Sequence, residues 1–117
     1  MPNVQAFDHI ALAVPDLDAQ VKRLVGMGMA VRHRSDGFAL LADPAFGFKI
    51  ELSVSTGQAQ FRHLGFRAAD VDAAYEELVK AGMAPLEKPH RSEMARMRTA
   101  FLKESNGIEV QLVKYDE

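Results

Sequence analysis

Phe7-Asp8-His9-Ile10-Ala11-Leu12 and, 54 positions later, Phe61-Arg62-His63-Leu64-Gly65-Phe66 are two versions of one phrase, and their correspondence decides the fold. The register holds beyond them. Asp16-Leu17-Asp18-Ala19 falls on Asp70-Val71-Asp72-Ala73, Val25 on Val79, and Gly28-Met29 on Gly82-Met83. Farther on, the offset becomes 58, with Ile50-Glu51-Leu52 matched to Ile108-Glu109-Val110, as though four residues were added around Lys88 to Ala95. A match sustained over a whole unit is the mark of a duplicated module.

Each copy predicts one strand, one helix and three further strands. Ile10, Leu12 and Val14 alternate, as in a half-buried strand. Asp16 follows as a helix N-cap, and Leu17, Val21, Leu24 and Val25 recur at helical spacing until Gly26 to Gly28 ends the helix. In the second copy Asp70 caps, Val71, Tyr75, Leu78 and Val79 form the stripe, and Gly82 stops it. Strands are expected near 30–34, 38–42 and 48–54, then near 84–87, 97–103 and 108–114, with turns at Asp36-Gly37, Asp43-Pro44 and Asn106-Gly107. The expectation is a single α+β domain over residues 1–117, made of two tandem βαβββ modules at about 5–55 and 60–115.

Composition narrows the function. The 117 residues carry a formal net charge of −2, and the 14 Lys and Arg residues form no block, so nucleic acid is not an expected partner. Cysteine is absent, which excludes disulfides, thiolate metal sites and thiol nucleophiles. Met1-Pro2-Asn3-Val4-Gln5 has no basic region followed by an apolar stretch, and no run reaches the roughly 20 apolar residues of a membrane span. A cytoplasmic protein without a membrane partner is expected.

Strand periodicity assigns faces. With Ile10, Leu12 and Val14 against the helix, His9 points to the opposite side of the sheet, and His63 does the same in the second copy. Ile50 and Leu52 likewise leave Glu51 on the far side, and Ile108 and Val110 leave Glu109 there. Ala11 and Gly65, next to the histidines on that face, are small enough to leave room for a bound group. Two imidazoles and two carboxylates at repeat-equivalent positions make a sensible site for one divalent ion: nickel, cobalt, zinc, manganese or iron. Two coordination positions of a six-coordinate ion would remain for two neighbouring oxygens of a small-molecule substrate.

At these residues the chain resembles the vicinal oxygen chelate superfamily, which includes glyoxalase I, methylmalonyl-CoA epimerase, extradiol dioxygenases and the bleomycin and fosfomycin resistance proteins. The resemblance covers essentially the whole chain. It rests on Asp8-His9-Ile10-Ala11-Leu12-Ala13-Val14-Pro15-Asp16-Leu17, Ile50-Glu51-Leu52, Arg62-His63-Leu64-Gly65-Phe66 and Asn106-Gly107-Ile108-Glu109-Val110. It implies a U-shaped mixed sheet with helices on its outer face, and a metal held by His9, Glu51, His63 and Glu109. A carboxylate at position 51 implies the glyoxalase I and epimerase branch: a lyase or isomerase working through an enediolate, with Glu51 or Glu109 as the base. The alternatives are an extradiol-type dioxygenase and a non-catalytic binder of a small molecule such as an antibiotic. The family also implies a homodimer.

Arg67 and Gln111 share the donor face and are candidate substrate contacts, the alternative for each being a cross-strand pair. His33 and His90 have no equivalents in the other copy and read as surface residues. Arg91, Arg96 and Arg98 flank the insertion and read as a solvated loop, with an anion-binding lid as the alternative.

Overall fold

The computed structural model describes residues 3–117; Met1 and Pro2, part of the stretch read for targeting, lie outside the described residues. The elements run β1 (Val4–Val14), α1 (Leu17–Gly26), β2 (Ala30–Ser35), β3 (Phe38–Ala42), β4 (Lys49–Val54), β5 (Gln60–Ala68), α2 (Val71–Lys80), β6 (Ala84–Ser92), β7 (Met97–Lys103) and β8 (Glu109–Tyr115). This is the expected α+β arrangement of two tandem βαβββ modules. The strands of the first lie in the order β2-β3-β4-β1, those of the second in the order β5-β8-β7-β6. In each, the strand before the helix pairs parallel with the last strand, and the other pairings are antiparallel.

Both helices start where a side chain can serve the free amides of the first turn. The Asp16 carboxylate accepts from the Ala19 amide at 3.0 Å and that of Asp70 from the Ala73 amide at 3.1 Å. Such caps contribute about 1 kcal/mol each. Leu17, Val21 and Leu24 then meet Val14, Ala39, Leu41 and Leu52 in one core. Val71, Ala74, Tyr75, Leu78 and Val79 meet Ala68, Ala100, Leu102 and Leu112 in the other. Val25, read as part of the first stripe, is instead 46% exposed. It follows Leu24 by one residue, about 100° around the helix, which carries it off the buried face.

Compact packing divides the chain into residues 9–62 and a unit made of residues 1–8 with 63–117. Strand β1 therefore changes allegiance at the Asp8–His9 bond. Its first half is bound into the second unit. Val4 joins the α2 core, the Ala69 amide donates to the Asn3 carbonyl at 2.9 Å, and Phe7 meets Phe66 edge to face. A further tie is electrostatic. The Asp8 side chain is fully buried and accepts from Arg67 Nε at 2.8 Å and from the Tyr115 hydroxyl at 2.5 Å. A buried carboxylate is tolerable only when charged or polar donors replace its lost water. The same contact raises the Arg67 pKa, the hydrogen bond to Asp8 outweighing the opposing effect of burial.

Two stability predictions follow from this packing. Leu52 and Leu112 have no exposure and hold equivalent places in the two cores, so Leu52→Ala and Leu112→Ala should each cost about 2–5 kcal/mol in urea unfolding. Tyr115→Phe leaves Asp8 one donor short without opening a cavity and should cost about 1–3 kcal/mol in the same measurement.

Candidate metal centre

In the first module β1 and β4 run parallel with Ala11 beside Glu51. His9 lies two residues back from Ala11, on the same face of the pleat. Its Nε2 stands 3.1 Å from Glu51 Oε2, with the imidazole almost fully buried and the carboxylate 22% exposed. Because Ala11 has only a methyl group, the longer side chains on either side of it meet above the sheet. Leu40 is the direct antiparallel neighbour of Glu51 and adds an apolar wall.

The second module repeats this geometry with a different residue. Parallel pairing of β5 and β8 puts Gly65 beside Gln111. His63 is two residues back from Gly65, so Gln111 stands to His63 as Glu51 stands to His9. The cross-strand neighbour of Gln111 is Phe101, in the place of Leu40, and the His63 ring meets Phe101 edge to face at 5.3 Å. Glu109 lies two residues earlier, half-buried at the start of β8 and opposite Lys103.

The repeat offset of 58 is therefore corrected, and with it the equivalence of Glu51 and Glu109. Leu41 corresponds to Leu102 and Leu52 to Leu112, all four fully buried. The offset rises from 54 at β1 to 61 at β7, so seven residues are extra, and falls to 60 at β8 because the last turn is one residue shorter. The turns agree. The Gly47 and Gly107 amides donate to the Asp43 and Glu104 carbonyls at 2.7 and 2.9 Å, and each turn closes with a 2.8 Å bond to Phe48 or Ile108. Both glycines have positive φ, 78° and 94°, which residues with a Cβ avoid. Gly47-Phe48-Lys49-Ile50-Glu51-Leu52 thus overlies Gly107-Ile108-Glu109-Val110-Gln111-Leu112. The Ile-Glu dipeptide common to both copies masked this match, and the turn glycine four residues ahead was the signal that finds it.

Gln111 is 4% exposed. Its Nε2 donates to Thr99 Oγ1 at 3.0 Å, and the Thr99 hydroxyl donates to the Leu112 carbonyl at 2.8 Å. Gln111 Oε1 is buried and has no hydrogen-bond partner among the described residues. A buried amide oxygen without a donor costs free energy, so a group that accepts its lone pair would stabilise it. Thr99 was not singled out from sequence, since a threonine among strand residues carries no signal of its own.

Other expectations resolve by contact. Arg67 gives its Nε to Asp8 across strands, and its side chain remains 54% exposed. Arg91 is bonded to Asp116 and Glu93, which holds its pKa above the usual value and that of Asp116 below. Arg98 grips both oxygens of Asp72 at 2.6 and 2.7 Å. With two of three guanidiniums bound to carboxylates, the anion-binding lid is not favoured over the solvated loop. His90 is a surface residue whose Nδ1 lies 2.8 Å from the Lys88 carbonyl, and His33 is exposed beside Phe38. No helix among the described residues is long and apolar enough to cross a membrane.

Comparison with known proteins gives the family. The chain is similar to the methylmalonyl-CoA epimerase of Mycobacterium tuberculosis, at 24% identity and a TM-score of 0.84, covering 100% of this chain and 92% of that one. It is also similar to a variant of the Streptomyces coelicolor methylmalonyl-CoA epimerase in complex with 2-nitronate-propionyl-CoA, at 24% identity and a TM-score of 0.79, covering 97% and 99%. A methylmalonyl-CoA epimerase in complex with methylmalonyl-CoA and NH4+ matches at 25% identity and a TM-score of 0.77, covering 96% and 95%. No curated protein matches the chain. The family model of the Glyoxalase/Bleomycin resistance protein/Dioxygenase superfamily matches residues 6–112, and the chain belongs to that superfamily.

Proposed function

We propose that this protein is a divalent-metal-dependent isomerase or lyase that removes a proton from carbon beside a chelated carbonyl, its ion held by His9, Glu51, His63 and Gln111. The observation that carries this reading is the His9–Glu51 pair at 3.1 Å, matched in register by His63 and Gln111. The donors fit such an ion. Two imidazole nitrogens, a carboxylate oxygen and an amide oxygen suit nickel, cobalt, zinc, manganese or iron. The unpartnered Gln111 Oε1 is the atom an ion would satisfy. When bound, the ion would act as a Lewis acid on two substrate oxygens and make the neighbouring carbon–hydrogen bond more acidic.

The remaining steps belong to the chain's own side chains. The two imidazoles bind through neutral nitrogen, which fixes each in one tautomer. Gln111 brings an oxygen donor but no basic site. Glu51 is the one carboxylate in the set, so proton removal falls to it. Leu40, the cross-strand neighbour of Glu51, adds an apolar wall beside that carboxylate. Among substrates we favour a thioester with a 2-methyl branch, in keeping with the methylmalonyl-CoA epimerases that share the fold. A 2-oxo thiohemiacetal is the second class to try.

Two measurements test this reading. Metal-loaded protein should exchange the C2 proton of a 2-methyl thioester for deuterium, and Glu51→Ala should slow exchange by roughly 10²–10⁴-fold. A purified protein that binds no divalent ion on titration sinks the proposal. Gln111→Ala should lower metal affinity by about tenfold or more, whereas Glu109→Ala should leave it near the wild-type value; the reverse pattern would return the fourth donor to Glu109.

A further inference from the structure

Gln111 is not simply an amide where the other module has a glutamate; its surroundings differ in a way that matches the change. The residue that pairs with Val113 is Thr99, and the equivalent residue of the first module, paired with Ser53, is Phe38. A hydroxyl thus stands beside the amide, and a phenylalanine holds the corresponding register position in the first module. Thr99 is 3% exposed, and its one hydroxyl proton is used by the Leu112 carbonyl at 2.8 Å. Toward Gln111 the oxygen can then only accept. The Gln111 side chain has to turn its nitrogen to Thr99, as the 3.0 Å contact records, and Oε1 is left on the other side without a partner.

We infer that Thr99 is a positioning residue that selects a neutral amide at position 111 and aims its oxygen, rather than its nitrogen, at the metal. This rests on the proposed metal site. A carboxylate at position 111 would set oxygen against the Thr99 oxygen. Relief would require the hydroxyl to turn from Leu112 and give up its 2.8 Å hydrogen bond to that carbonyl. The two modules therefore supply unlike oxygen donors by construction: a charged one that can take a proton and a neutral one that cannot. With only one ligand carboxylate, the metal and its protein donors keep a net positive charge, which suits a substrate that binds as an oxyanion.

The experiment is titration of cobalt(II) alone into the metal-stripped full chain by calorimetry, with circular dichroism to confirm folding. Thr99→Val, close in shape but without the hydroxyl, frees the amide to rotate and should weaken binding by about tenfold. Thr99→Ser keeps the hydroxyl and should bind as the wild type does. On a Gln111→Glu background the loss caused by Thr99→Val should vanish or reverse, because there the hydroxyl oxygen opposes the donor. His9→Ala should abolish binding. If Thr99→Val and Thr99→Ser both match the wild type while His9→Ala does not bind, the metal reading stands and the role of Thr99 is overturned. If Thr99→Ser is as weak as Thr99→Val, the residue acts through packing alone and the inference also fails. A wild type that binds no cobalt removes the metal reading and the inference with it. Should Thr99→Val not fold, Thr99→Ala with Thr99→Ser as control makes the same comparison.

Discussion

Parallel strand registry is the constraint on which the rest of the site depends. In each module the first and last strands lie side by side in one register; in the first, His9 on β1 reaches Glu51 on β4, and in the second His63 and Gln111 hold the equivalent positions. Ala11 and Gly65, on the same face beside each histidine, are small, and because the pleat repeats every two residues the histidine and its oxygen donor stand on one face. A slip of one residue would send either donor into the helix-packed core. A slip of two would keep the face but exchange Gln111 for Glu109. The register is fixed at one end by a turn glycine with positive φ, Gly47 or Gly107, and at the other by Leu52 or Leu112 packing under the helix.

That the modules carry different oxygen donors bears on chemistry. Glu51 sits against a buried imidazole and can exchange a proton; Gln111 can only donate a lone pair. In the proposed metal site, one titratable oxygen would give a single answer to which ligand acts as base, where two glutamates would leave the choice open. The difference is supported from beneath by Thr99, whose hydroxyl is already committed to the backbone.

The second organising interaction is the buried Asp8 carboxylate, held by Arg67 and Tyr115. It draws in side chains far apart in sequence and ties the first half of β1 into the second unit, one residue before His9 begins its contribution to the first. Arg67 anchors the strand through its Nε.

Much of this was legible in the sequence. The alternation of Ile10, Leu12 and Val14, the caps at Asp16 and Asp70 and the 54-residue repeat depend on local geometry, and they determined the elements, the duplication and the face on which His9, Glu51 and His63 stand. Seven extra residues near β6 and one fewer in the last turn were not legible, because hairpin length is set by cross-strand pairing rather than by near neighbours. A repeated Ile-Glu dipeptide then pointed to Glu109. Only the tertiary structure decided that Gln111 occupies the equivalent place, that its amide is turned by Thr99, and that Arg67 belongs to Asp8. Those are outcomes of hydrogen-bond satisfaction among buried groups, where each donor has one proton to give and the partner is found across the sheet.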